Sequence, residues 1–154
     1  MHLGPHHFQA QSRYFEDSIQ FATSSLWFEP FGLAGLELDA EALGNGTVSI
    51  VNARGIFPDG LPFHMPECDP LPAPRSIAEL FPPTRDTLTV LMAIAPRQAD
   101  GLNCALSEAE ANGARFIAEM RVFHDENTGR DEKPVRLGRK NFKLLLDTEP
   151  AKGH

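Results

Sequence analysis

The sequence predicts a mainly β protein, a β-sandwich led by one amphipathic helix. Three observations carry that prediction. Apolar residues fall on one helical face only in residues 5–24, and later segments alternate with period two. Thirteen prolines and twelve glycines break the 154 residues into short pieces, which argues against a helical bundle. Turn signals then separate about six to eight short alternating segments, the pattern of two packed β layers.

Within 5–24, Pro5 suits a first helical turn, where its missing N–H costs nothing. Phe8, Phe15, Ile19 and Ala22 share a face, with Arg13, Glu16, Asp17 and Gln20 elsewhere, so the helix is expected to pack on something. Ala34, Leu36 and Leu38 then alternate up to Gly44-Asn45-Gly46, and Val48 and Ile50 follow, which reads as a hairpin. Pro58-Asp59-Gly60 is a turn: proline sets φ at the first corner and glycine tolerates positive φ after it. Residues 66–86 are rich in proline and read as an extended connection, with only Ser76 to Phe81 able to form a helical turn.

Thr87 to Ala95 is the strongest strand signal, with Leu88, Val90, Met92 and Ile94 on one face. The polar stretch Asp100 to Gly113 leaves room for a short helix. Arg115 to His124 alternates again, with Phe116, Ala118, Met120 and Val122 on one face opposite Glu119 and Arg121. A turn at Asp125 to Gly129 and a return strand from Pro134 to Leu137 complete a hairpin. The last strand is Asn141 to Asp147, with Phe142, Leu144 and Leu146 inward. One domain over 1–150 with a tail at 151–154 fits the usual domain size of about 100–150 residues.

The net charge of −7 disfavours nucleic acid and anionic membrane as partners, because both are bound by neutralising phosphates with Lys and Arg. Cys68 and Cys104 lie far apart and read as reduced thiols of a cytoplasmic protein. No apolar run approaches the roughly 20 residues of a membrane span, and no signal peptide is visible at the start.

Catalytic and metal signatures are thin, and no cofactor is expected. His2 and His6 stand four apart next to His7, but Gly4-Pro5 interrupts that face and no Cys or acid stands at ligand spacing. A helix-start pair, one imidazole held by backbone and one in solvent, is the plainer reading. No G-x-S-x-G elbow, P-loop or G-x-G-x-x-G is present. Leu26-Trp27-Phe28-Glu29-Pro30-Phe31 is the exception, since its aromatics exceed what one strand face can bury. Either Trp27 and Phe31 plug the core under the helix with Phe28 partly exposed, or Trp27, Phe28 and Phe31 form a partner-binding surface.

Several segments, taken in order, resemble the TssK (ImpJ/VasE) family of type VI secretion. Pro5-His6-His7-Phe8-Gln9 is similar to the family's opening Pro-Gln-His-Phe-Gln core, with His6 where Gln is usual. Gly32-Leu33 is similar to its next landmark, and Phe57-Pro58-Asp59-Gly60 to its Phe-Pro-Asp-Gly turn. The strand ending at Asp125 and the run Arg139-Lys140-Asn141-Phe142 are similar to its closing elements. The signature positions are therefore Pro5, His7, Phe8, Gln9, Pro58, Asp59, Gly60 and Asn141. Family members continue for several hundred residues beyond this stretch, so a domain fragment or a shortened product is expected. The resemblance implies a sandwich like the shoulder domain of phage receptor-binding proteins. It also implies a non-catalytic baseplate adaptor that docks onto TssF- and TssG-like subunits and is a homotrimer when whole. An alternative is a phage-tail-like sandwich that binds a carbohydrate or cell-surface ligand, although one Trp and one Tyr give such a site little to stack on.

Overall fold

The computed structural model describes residues 4–80, 84, 86–125 and 127–147. The tail at 151–154 and residues 81–83 of the proline-rich connection lie outside them. Helix α1 spans Pro5–Leu26, two residues beyond the expected end, and leads into β1 at Gly32–Leu38. The expected hairpin is formed in part: Leu38 pairs with Ile50 across an antiparallel ladder, but Val48 lies outside it. A short helix α2, Ala40–Gly44, occupies the connection, and Asp39 caps it by accepting from the Ala42 N–H. Strand β2 (Thr47–Val48) then leaves to pair with β5 (Arg75–Ser76), while β1 pairs antiparallel with β3 (Ile50–Ile56).

Strand β4, Pro62–Met65, returns on β3 through the Pro58–Gly60 turn, giving a sheet of order β1-β3-β4. Gly60 takes φ +85°, which side chains rarely adopt, and the Asp59 carboxylate accepts from the Leu61 N–H at 3.1 Å. The proline-rich connection is more structured than a surface run. It carries β5, and Asp69, Pro72 and Ile77 within it are buried.

Strand β6, Val90–Ala93, pairs antiparallel with β10, Lys143–Leu146. These two face the β1-β3-β4 sheet across the main core of Ile50, Ala53, Phe63, Met65, Ile94, Phe142, Leu144 and Leu146. Phe57 stacks on Phe142 at 5.8 Å between ring centres, and Phe63 meets both rings edge-on or tilted. No α1 residue belongs to this core, and none is buried. That corrects the expectation that the helix packs on the body: the strands fill the core by themselves.

A further three-stranded sheet, β7-β8-β9, joins Cys104–Ala105, Phe116–Phe123 and Lys133–Lys140. A single 3₁₀ turn at Glu108–Glu110 stands where a short helix was expected. Strand β8 corrects the predicted face. Ile117 is the buried residue, set among Ala105, Ala111 and Ala114, whereas Met120 and Val122 are exposed. The hairpin turn itself is as expected, with Asp125 accepting from the N–H groups of Asn127 and Thr128.

Candidate functional site

A run of uncovered apolar side chains begins on α1 and continues into the loop after it. Phe8, Phe15 and Ile19 are 58%, 55% and 64% exposed. Trp27, Phe28 and Phe31 follow at 62%, 93% and 49%. These values overturn the reading in which Trp27 and Phe31 plug the core under the helix, because none of the rings of the run is buried. Local geometry accounts for the exposure. Glu29 adopts a left-handed conformation, φ 45°, and the Phe31 N–H donates to the Glu29 carbonyl at 2.8 Å. This tight bend separates α1 from β1. The hydroxyls of Ser18, Thr23, Ser24 and Ser25 turn back onto carbonyls of their own helix and are satisfied there.

The start of α1 explains the histidine pair. The His7 Nδ1 accepts the Gly4 N–H at 3.0 Å and the His7 N–H donates to the Gly4 carbonyl, which closes the first turn behind Pro5. His6 is exposed, as are Phe8 and Gln9, and His2 lies outside the described residues. Among the described residues, no group of three or more His, Cys, Asp or Glu side chains could hold a metal ion.

Two ion pairs join parts of the fold that are remote in sequence, and sequence reasoning missed both. Arg115 is buried; its Nη1 donates to the Ala95 carbonyl at 3.0 Å and meets the Asp59 carboxylate at 2.7 Å. Lys140 bonds the Pro62 carbonyl and pairs with Asp69, each at 2.8 Å, while Asp69 also accepts from the His64 N–H. Together they tie the β3-β4 turn and the 66–70 segment to the β7-β8-β9 sheet. The partners are remote in sequence, so no spacing rule could have found them; an Arg directly before an alternating apolar run was the faint signal available. Asn141 does comparable work nearby. It is buried, and its Nδ2 donates to the carbonyls of Ala111 and Ala114, both at 2.9 Å.

An open groove of about 670 Å³ runs between the 66–70 segment and strands β8 and β9. Its charged walls are satisfied from within: Arg139 pairs with Glu108, Lys140 with Asp69, and Arg121 with Glu119. Burial pushes the Cys104 thiol above its ordinary value, with Arg136 pulling weakly the other way. Among the described residues, no helix is long and apolar enough to cross a membrane.

The family model of bacterial type VI secretion proteins that includes EvfL, ImpJ and VasE matches residues 7–154. The chain belongs to this family. A curated VasE-family relative, the type VI secretion system baseplate component TssK1 of Pseudomonas aeruginosa, is 36% identical over 151 residues. That match covers 97% of this chain and 33% of TssK1, so the chain spans about a third of the relative's length. A crystal structure of TssK superposes with a TM-score of 0.84 at 27% identity, over 99% of this chain and 34% of that one. The cryo-electron-microscopy structure of a TssK-TssF-TssG baseplate subcomplex gives 0.83 at 20% identity, over 99% and 50%. At that identity the likeness shows the fold, a β-sandwich with a leading helix. The positions expected from the resemblance have structural roles: Pro5 and His7 close the start of α1, Pro58 to Gly60 make the turn that Arg115 holds, and Asn141 joins two loops.

Proposed function

We propose that this chain is the N-terminal, non-catalytic docking part of a TssK-like baseplate subunit, which works in the cytoplasm as a homotrimer when whole. Its partners are TssF- and TssG-like subunits. The observation that carries the reading is the uncovered apolar surface of α1 and residues 26–31 on a body whose own core is already filled without it. Uncovered aromatics on a rigid support are what an adaptor needs, because aromatic side chains concentrate binding energy. The 36% identity to a baseplate component supports the same role.

The test is titration of this chain with the TssF- and TssG-like subunits of the same organism. The Trp27→Ala, Phe28→Ala double variant is expected to weaken binding tenfold or more, since loss of a central aromatic anchor costs about 2 kcal/mol and 1.4 kcal/mol is a factor of about ten. Its thermal midpoint should stay close to the parent's, both rings being exposed. A folded double variant that binds at full strength would remove this surface from the reading and turn attention to the 66–86 segment.

A further inference from the structure

Helix α1 buries none of its residues, so few contacts set its orientation on the body. One is at the Pro58–Gly60 turn, where Gln20 lies over Gly60: a Cβ on Gly60 would sit 2.8 Å from the Gln20 Cγ and Cδ. The same turn is also held by Asp59. The Asp59 carboxylate holds the Leu61 N–H with one oxygen and the Arg115 guanidinium with the other, at 3.1 and 2.7 Å. Arg115 cannot swing with the turn, because it is buried and bonded to the carbonyl of the fully buried Ala95.

We infer that Asp59 and Arg115 are positioning residues that set the pose of α1 by fixing the turn on which it rests. The chain of contact runs from Ala95 through Arg115 and Asp59 to Gly60, and from there to Gln20. Each link has a specific requirement. Arg115 brings a fixed cation into a buried place, Asp59 brings two acceptor oxygens on a short side chain, and Gly60 leaves the space that Gln20 covers. The consequence for docking rests on the reading proposed above: a helix held in one pose presents its aromatic side without the ordering cost of a loosely tethered one.

The experiment is ¹⁵N relaxation on the labelled chain, comparing α1 amides with those of β3, β4 and β10. In the parent, α1 should share the correlation time of the strands. In Gln20→Ala and in Asp59→Asn, the α1 amides should show faster internal motion and lower heteronuclear NOE values while the strand shifts are retained. If Asp59→Asn fails to fold because Arg115 is left buried and unpaired, Gln20→Ala decides alone, since Gln20 is exposed and its loss opens no cavity. An α1 that stays locked to the strands in the folded variants, or that already moves independently in the parent, overturns the inference. The readout needs no partner, so it stands or falls separately from the docking reading.

Discussion

At residue scale, the side chains with the strictest requirements are polar ones inside the fold. Asn141 supplies two N–H donors to two carbonyls that have little access to water. Leaving a buried acceptor unpaired costs about 1–3 kcal/mol, so Asn141→Ala is expected to lose on the order of 2–3 kcal/mol in urea unfolding. Asn141→Asp, which replaces the donors with acceptors, should lose more. The two thiols differ in the same physical way. Cys68 is exposed and Cys104 is partly buried with its pKa raised, so less thiolate is present at Cys104 at neutral pH. Mass spectrometry of iodoacetamide-treated folded protein should therefore find Cys68 modified first, with Cys104 gaining reactivity as pH rises. The sign for stability follows. The folded state holds the Cys104 proton more tightly than the unfolded state does. That contribution is full below the ordinary thiol value of 9.0 and is lost as pH rises through the folded value.

At the scale of elements, the contrast lies between strands that build the core and a helix that does not. Phe142 is buried among Phe57 and Phe63, so Phe142→Ala should cost about 3–5 kcal/mol. Ile19 on α1 is exposed, and Ile19→Ala should change stability by no more than about 0.5 kcal/mol in the same urea experiment. Strands β6 and β10 were legible because each has one buried face, and Leu144 and Leu146 alternate with Lys143 and Leu145 accordingly. Strand β8 misled because it and β9 run past the body beyond Ile117, where apolar residues such as Met120 and Val122 stay in solvent and alternation no longer reports burial. Helix α2 in the β1-β3 connection was hidden, because its five residues read as the approach to a glycine turn. In the proposed docking surface, the aromatics at 27, 28 and 31 were legible from composition alone. Their exposure was not, because a ring in a loop can plug a core or leave it, and here the bend at Glu29 settles the outcome.

For the whole molecule, a filled sandwich core and interlayer ion pairs support a helix whose apolar side chains are uncovered. The pairs Asp59–Arg115 and Asp69–Lys140 hold separate sheets together, which preserves the relative placement of surfaces that a partner would meet at once. The most direct test of the docking account is hydrogen exchange measured with and without the TssF- and TssG-like subunits bound. The account predicts slowed exchange concentrated in α1 and residues 26–31, with the β6-β10 strands unchanged. A fully formed complex in which α1 and residues 26–31 exchange as fast as in the free chain would contradict it.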